Sequence, residues 1–349
     1  MDDDRKSIVR SSVALGSSAI PKRRGLVLRA LNELADVKDA DYYFFKGEGC
    51  REEGDTRRAV EFYERALTLN ADYEEALFFL GYCFLPDVED RCQDTITLPV
   101  AERYARAERV FQRLIDLRTE RHVLTREDYI TFCNLGLARY HLRNLKQACL
   151  DFKKAIELNP DYDNAYLMTG VIHDELGEYR DAAMYYQQAI EINPENGEAY
   201  YNLGLAQHSL GLYEDAIRSF ALALKHNPDD PDACYAMGSA QERAGCFHLA
   251  LKYYQFFLAA YQGLPNQSER IVAYVEKRIR KMRELLTDLY YFNMGTKLWE
   301  KGDKESAMVC FEIAVELRHA RDEEEIPPAI NDVRPEQKIN MRPVKGMDN

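Results

Sequence analysis

Long apolar segments are absent from this sequence. No run approaches the roughly 18 apolar residues that a membrane-spanning helix needs. The amino-terminal stretch MDDDRKSIVR is acidic and has no apolar centre of the kind found in secretion signals. We therefore expect a cytoplasmic protein that does not insert into a membrane.

Basic residues are in deficit. The 349 residues include 46 Lys and Arg against 59 Asp and Glu, which gives a formal net charge of -13 at pH 7. A chain of this sign is repelled by the phosphates of nucleic acids and by anionic lipids. Nucleic acid is therefore disfavoured as a partner, whereas basic or neutral partners are favoured.

Motifs of catalytic and metal sites are missing as well. The sequence contains no Gly-rich phosphate loop, no Gly-x-Ser-x-Gly turn, no His-Glu-x-x-His pair and no zinc-type spacing of Cys and His. Its eight cysteines form no Cys-x-x-Cys pair. We interpret them as free thiols that fill apolar space in a reducing compartment. The expectation is a protein that is not an enzyme and that holds neither a cofactor nor a metal.

What the sequence does contain is a repeat. Residues 163–196 and 197–230 are two copies of one 34-residue pattern. The alignment places Tyr166 with Tyr200, Gly170 with Gly204, Gly177 with Gly211, Ala182 with Ala216, Tyr186 with Phe220, Ala189 with Ala223 and Pro194 with Pro228. A fixed period of this length predicts a solenoid of stacked repeats.

Each copy predicts two short helices. Apolar and small residues recur at three- and four-residue spacing over residues 165–176 and again over 179–192. Gly177 falls between the two segments, where a helix end favours a residue that adopts a left-handed backbone. Gly170 is small enough to let the paired helices approach, and Tyr186 is predicted to fill the space beside it.

This pattern resembles the tetratricopeptide repeat, whose signature is an aromatic residue, then Leu-Gly, then Ala, a second aromatic residue and Pro at fixed offsets. The same offsets recur in five further copies, so the resemblance covers about four fifths of the chain. It implies an all-α fold, a right-handed α-solenoid of helix-turn-helix repeats over residues 40–321. The repeats are predicted at 40–73, 74–121, 129–162, 163–196, 197–230, 231–264 and 288–321, the second with an insertion.

Segments outside the regular repeats have different patterns. Residues 1–39 are interpreted as a mobile amino terminus with a capping helix, and residues 322–349, with four prolines, as a disordered tail. The insertion at about 85–106 is either a functional loop or tolerated surface length. An added amphipathic helix is predicted at about 268–287, because its apolar residues recur at spacings of three and four.

The other face of the added helix is basic in an otherwise acidic chain. It carries Lys277, Arg278, Arg280, Lys281 and Arg283. One interpretation is a patch for nucleic acid or for an acidic partner. The other, which we favour, is a solvated face on which the acidic residues at 276 and 284 pair with Arg280.

The resemblance also implies a binding site. In tetratricopeptide repeats the first helices line a concave groove, and six positions of each repeat, the second, fifth, sixth, ninth, twelfth and thirteenth, face it. Carried over by position, the candidate groove residues are Asn134, Tyr140, His141, Leu167, Asp174, Glu175, Tyr201, Asn202, His208, Tyr235, Glu242 and Asn293. Because this surface is apolar and aromatic with acidic edges, the expected ligand is a protein or peptide with apolar and basic residues.

Tyr201 and Tyr235 occupy the fifth position of adjacent repeats. They either anchor a ligand together with the Asn202 amide or pack between first helices. The sequence thus indicates a non-catalytic protein-interaction scaffold that binds its partner in the groove. Two alternatives remain: a regulatory or chaperone subunit of an enzyme or secretion complex, and a nucleic-acid-binding solenoid that uses residues 277–283.

Overall fold

The computed structural model describes residues 38–86, 98–261 and 268–322, and in these ranges the chain is helical and contains no strand. The predicted all-α fold is therefore confirmed. The chain divides into two compact units, with the division between Leu176 and Gly177. The predicted capping helix, most of the predicted tail and the centre of the insertion lie outside the described residues.

The first unit has seven α-helices in its described residues. In chain order they are α1 (Ala40–Glu53), α2 (Thr56–Leu69), α3 (Glu74–Phe84), α4 (Val100–Glu120), α5 (Tyr129–His141), α6 (Leu145–Leu158) and α7 (Asp163–Glu175). A short 3-10 helix, Arg126–Asp128, precedes α5. Each helix packs mainly against the helices before and after it in the chain, which is the contact pattern of stacked repeats.

The second unit also has seven α-helices in its described residues. They are α8 (Tyr179–Ile192), α9 (Gly197–Ser209), α10 (Tyr213–His226), α11 (Pro231–Arg243), α12 (Phe247–Tyr261), α13 (Glu269–Glu300) and α14 (Lys304–Asp322). Here too consecutive helices pack against one another. Contacts among the described helices are therefore local in sequence.

Short polar residues start several first helices, because they accept hydrogen bonds from backbone N–H groups that the first turn leaves unpaired. The Asp39 carboxylate accepts from the Tyr42 N–H at 3.0 Å, and the Asn196 amide oxygen accepts from the Ala199 N–H at 2.9 Å. Asp230 caps α11 in the same way, with Pro231 in the first turn. A capping box precedes α5: Thr125 and Asp128 bond each other reciprocally.

A close contact between a glycine and an aromatic ring joins the two helices of a repeat. An ideal Cβ added to Gly204 on α9 would lie 2.5 Å from Cε1 of Phe220 on α10. Five other first-helix glycines have the same relation to a ring, with added Cβ atoms at 2.6–2.9 Å: Gly47 with Tyr63, Gly81 with Phe111, Gly136 with Phe152, Gly238 with Tyr254 and Gly295 with Phe311. The small residue and the ring are thus both required for the helices to sit this close.

The turn between the helices of a repeat uses a left-handed residue. Gly177 and Gly211 both have φ 77°, which confirms the prediction for these two positions. In the third repeat the equivalent residue is Arg143, with φ 63°. A non-glycine residue in this conformation costs about 1 kcal/mol. An ion pair at 2.7 Å between Nη1 of Arg143 and Oε2 of Glu175 offsets this cost.

The carboxy-terminal helices differ from the sequence-based expectation. The added helix predicted at 268–287 does not end before the last repeat. It continues through Thr287 and Asp288 as the 32-residue helix α13, whose second half is the first helix of that repeat. The physical reason is that no glycine or proline interrupts residues 269–294, so nothing ends the helix there.

We predict that Gly204→Ala lowers the free energy of unfolding by about 1–3 kcal/mol, because the new methyl group overlaps the Phe220 ring. Shrinking the ring tests this contact directly. In the double variant with Phe220→Leu, the loss should be smaller than the sum of the two single losses. Urea titrations followed by circular dichroism measure the free energy of unfolding of the two single variants and of the double variant. Ser209→Ala, at an exposed end of the same helix, is the control and should stay within about 0.5 kcal/mol. Strictly additive losses would contradict the contact.

Candidate functional site

Candidate groove residues of the first unit form an internal network. The Tyr140 hydroxyl on α5 donates to Oε1 of Glu175 on α7, and Glu175 also pairs with Arg143 at 2.7 Å. Burial, and next the bond to Glu175, raise the pKa of Tyr140, so its hydroxyl stays protonated as a donor. The Glu175 charge is therefore neutralised within the fold and does not act as a free acidic group toward a ligand.

Other candidate residues of this unit are also largely withdrawn from solvent. Asn134 is 3% exposed and Leu167 is 2% exposed. His141 is half-buried, with its ring stacked on that of Tyr104 at a centroid distance of 4.2 Å, and Asp174 is half-buried. The physical reason is close helix packing, since α5 contacts both α4 and α6. The first unit thus displays less of the predicted set than the positions alone suggest.

Tyr201 and Tyr235 of the second unit are half-buried. Each packs against aromatic rings of its own repeat and also against the first helix that follows, Tyr201 against α11 and Tyr235 against α13. The Tyr201 centroid lies 5.9 Å from that of Phe220. The Tyr235 centroid lies 5.6 Å from Tyr254 and 5.5 Å from Phe257. These contacts fix the position of both rings on α9 and α11 without removing either from solvent. Burial is also the first cause of the raised pKa of Tyr235, which reaches about 12.

Asn202, next to Tyr201 on α9, is half-buried as well. Among the described residues, its side-chain amide has no hydrogen-bond partner. An amide group offers two N–H donors and a carbonyl acceptor, the complement of a peptide bond. This side chain is therefore a polar group of the predicted groove that remains available in the second unit.

His208 is the second-to-last residue of α9. Its Nε2 is 3.3 Å from the Ser239 hydroxyl on α11, and its ring meets that of Tyr213 edge to face at 5.3 Å. Burial lowers the pKa of His208, and the positive charges of Arg243 and Arg278 lower it further. His208 is therefore a neutral link between adjacent repeats at pH 7.

Glu242 has an internal partner that its sequence position did not reveal. Arg278 of α13 donates to Oε2 of Glu242 through Nη2 at 2.5 Å and Nε at 3.0 Å, and the Tyr254 hydroxyl donates to the same oxygen at 2.9 Å. The expectation that Glu242 adds a negative charge for a ligand is thus corrected. Arg278 neutralises it.

The same contact changes the basic face predicted on the added helix. Arg278 points to Glu242 and its side chain is only 12% exposed, so it does not belong to the solvated set. Lys277, Arg280 and Arg283 are exposed, and Lys281 is half-buried. In the described part of the chain Arg280 forms no ion pair, so the expected pairs with the neighbouring glutamates are not present. A basic patch for nucleic acid accordingly loses one of its five residues.

Asn293 is exposed on α13, at the sixth position of the last repeat. Three large apolar side chains at groove positions of that repeat were missed in the sequence: Leu289, Phe292 and Trp299 are 41%, 46% and 48% exposed. They follow from carrying the second, fifth and twelfth positions into the last repeat as well. The signal was therefore available in the repeat register itself.

Comparison with known proteins agrees with this helical repeat architecture. Family models of the tetratricopeptide repeat match residues 40–73, 130–162 and 167–233. No curated protein is a significant match. None of the helices in the described ranges is long and apolar enough to cross a membrane.

Three similar solved structures illustrate the range of likeness. YrrB, described as a TPR protein with an unusual peptide-binding site, is 22% identical over 60% of this chain and 96% of its own, with a TM-score of 0.48. MamA is 25% identical over 54% of this chain and 92% of its own, with a TM-score of 0.46. The APC/C hetero-tetramer Cut9-Hcn1 is 15% identical over 74% of this chain and 46% of its own, with a TM-score of 0.49.

Arg278→Gln should destabilise the protein by about 1–3 kcal/mol, because Glu242 loses its charge partner in a partly buried setting. Arg280→Gln is the matched control: it lies on the same helix, is exposed, and should change stability by less than about 0.5 kcal/mol. Thermal and urea unfolding of the two variants give the comparison. Equal effects would show that Arg278 is part of a solvated face after all.

The lowered pKa of His208 predicts a pH dependence of stability. As the pH falls through the ordinary value of 6.5, the unfolded chain binds a proton at this residue before the folded chain does. The contribution of His208 is therefore fully present above that pH and is lost below it. His208→Gln should show a smaller fall in stability than the parent chain between pH 7 and pH 5, about the ordinary histidine range. Parallel pH profiles of the two chains would contradict the prediction.

Proposed function

We propose, from the premise that this chain is a tetratricopeptide-repeat protein, that it is a protein-interaction scaffold whose ligand lies along the first helices of the second unit. The residues proposed to touch the ligand are Tyr201, Asn202 and Tyr235. The ligand is a protein segment that combines apolar residues with Lys or Arg.

The observation that carries the proposal is the Asn202 amide, half-buried and without a hydrogen-bond partner among the described residues. A polar group that is partly desolvated and unpaired costs free energy until water or a ligand satisfies it. A peptide backbone supplies both an acceptor and a donor, so one peptide unit satisfies both ends of the amide. This supports a ligand that the protein recognises through hydrogen bonds to the ligand's main chain.

The two tyrosines supply apolar contact on either side of this amide. Their rings are held by Phe220 in one repeat and by Tyr254 and Phe257 in the next. Packing and ligand binding are therefore compatible uses of the same residue, because a tyrosine packed by one edge still offers the remainder of its ring and its hydroxyl. Side chains already held in place lose little conformational freedom on binding.

Charge supports the basic part of the ligand. Burial is the largest cause of the raised pKa of Tyr201, and the carboxylates of Asp232 and Asp230 are the next. They create a negative potential at that hydroxyl, which favours a Lys or Arg side chain beside it. Glu242 does not contribute, since Arg278 already neutralises it. The preference for a cation therefore depends on the two aspartates at the start of α11.

Peptides that are selected from a displayed random library for binding to the full-length protein provide a probe for this site. Asn202→Ala should weaken the selected peptides about 5- to 10-fold, the range of one lost hydrogen bond to a buried group. Tyr201→Phe, which keeps the ring packing, should weaken them less. Raising NaCl to about 0.5 M should also weaken binding, because charge attraction is screened. Fluorescence anisotropy measures the dissociation constants.

Matched controls lie on α8 of the same unit. Gln187→Ala removes an exposed amide, and Tyr185→Phe removes a hydroxyl from a half-buried tyrosine; both should leave affinity unchanged. Wild-type affinity in Asn202→Ala would contradict the site. Selection of acidic peptides would contradict the ligand chemistry. Loss of binding in Lys281→Gln with Arg283→Gln would transfer the site to the basic face of α13.

A further inference from the structure

Interior repeats of the second unit show which positions receive the following helix. In the fifth repeat, Tyr201, Ile217 and Leu224 form a cluster with Ala236, Met237 and Ala240 of α11. In the sixth repeat, Tyr235, Leu251 and Leu258 form a cluster with Val275, Ile279 and Met282 of α13. The receiving residues stand at the fifth, twenty-first and twenty-eighth positions of both repeats. These three positions therefore form the acceptor surface for a next helix.

The last repeat has the same acceptor surface without a helix on it in the described residues. Its equivalent residues are Phe292 on α13 and Met308 and Val315 on α14, exposed by 46%, 50% and 51%. Trp299 is 48% exposed on the same helix as Phe292, at a spacing of seven residues. Residues seven apart lie on one face of a helix. We call these four residues the end face.

We propose that the end face pairs with the end face of a second copy of this chain. A two-fold axis would bring α13 and α14 of each copy together as a four-helix bundle. The hairpin suits this arrangement, because α14 packs extensively against α13 alone among the described helices. Within the described ranges no further helix covers its other faces.

The amount of apolar surface fits a pair of copies. The end face with Leu289, which is 41% exposed, offers about 500 Å² of apolar side-chain surface per copy, against about 800 Å² per partner in a standard interface that includes its polar rim. An aromatic and methionine-rich centre is also the usual composition of such interfaces. Scattered single apolar residues need no such explanation, but a contiguous group does.

Charges on the hairpin favour a copy of itself over a partner of one sign. Among the described side chains, exposed residues of both signs occur on α14 and at the end of α13: Lys297, Lys301 and Lys304 beside Glu300, Glu312 and Glu316. A mixed surface does not select a strongly basic or strongly acidic partner.

The chain's own terminal segments are weaker candidates for covering the end face. The helix received in interior repeats presents apolar residues at spacings of four and three, as Val275, Ile279 and Met282 do. In residues 323–349 only Ile326, Ile330 and Val333 follow these spacings, and Pro327, Pro328 and Pro335 lie among and directly after them, so the sequence does not predict a helix of the length that interior repeats receive. Residues 26–37 have leucines at 28, 31 and 34, but seating them from another copy would build an open head-to-tail chain instead of a closed pair.

Trp299 makes the proposal testable without a mutation, because it is the only tryptophan in the chain. Its fluorescence emission should shift to shorter wavelength as the full-length protein is concentrated and the end face is covered. Light scattering on the same samples should show a mass of twice 40.4 kDa at about 20 µM. Because the contact is apolar and the chain is strongly acidic, association should persist or strengthen at about 0.5 M NaCl.

Lysine substitutions locate the contact. Met308→Lys with Val315→Lys should weaken self-association on the order of 100-fold while circular dichroism stays unchanged. Met184→Lys is the matched control, since Met184 is about equally exposed, at 49%, on the second helix of another repeat, outside the end face. The Met184→Lys chain should self-associate like the wild type. Phe292→Lys is an independent variant on the other helix and should act in the same direction.

Three outcomes would overturn the proposal. The first is a wild-type chain that stays monomeric up to about 100 µM, a concentration well above the dissociation constants of ordinary homodimers. The second is a folded Met308→Lys, Val315→Lys chain that pairs like the wild type. The third is mass that grows beyond two chains and is lost in Leu31→Lys with Leu34→Lys, which would indicate head-to-tail association.

Discussion

The contact between a first-helix glycine and a second-helix aromatic ring is the constraint on which each repeat depends. With added Cβ atoms 2.5–2.9 Å from the ring, no larger residue fits, and the ring has no space except the one that the glycine leaves. The rings of Tyr63, Phe111, Phe152, Phe220 and Tyr254 are fully buried. Since this contact sets the separation and rotation of the paired helices, it also sets which residues of the first helix remain on its outer face. Tyr201, Asn202 and Tyr235 owe their positions to it.

Most of the fold was predictable because the residue types that make this contact recur at fixed positions in the sequence. Gly, Ala and an aromatic residue recur at fixed offsets, and the turn glycines and the capping box at Thr125 mark helix ends by local chemistry alone. Helix α13 was not predicted as one element. Two complete patterns, an amphipathic stripe and a repeat signature, meet near Thr287, and each suggests its own helix. Whether the backbone bends between them depends on a helix-breaking residue, and none is present.

The candidate site was predictable as a face but not as a set of available groups. Repeat position determines the direction in which a side chain leaves its helix. It does not determine what a long side chain reaches. Two of the three acidic residues that were assigned to the groove pair with arginines: Glu242 with Arg278 of α13 and Glu175 with Arg143 of the turn. Burial is similarly a property of neighbours. Asn134 and Asn202 share the sixth position, yet the first is buried and the second retains an accessible amide.

The same three positions have different consequences inside and at the end of a repeat array. The side chains of Tyr201, Ile217 and Leu224 pack against the next repeat, which removes part of their apolar surface from water. Terminal repeats normally carry a polar outer face for this reason. The last repeat here keeps the interior type of residue at Phe292, Met308 and Val315, so its end retains the affinity for a helix that stacking would otherwise satisfy. The ligand site proposed near Asp230 and Asp232 depends on charge, whereas the pairing proposed for the end face depends on apolar area. Salt is therefore expected to act in opposite directions on the two proposed contacts, which separates them physically.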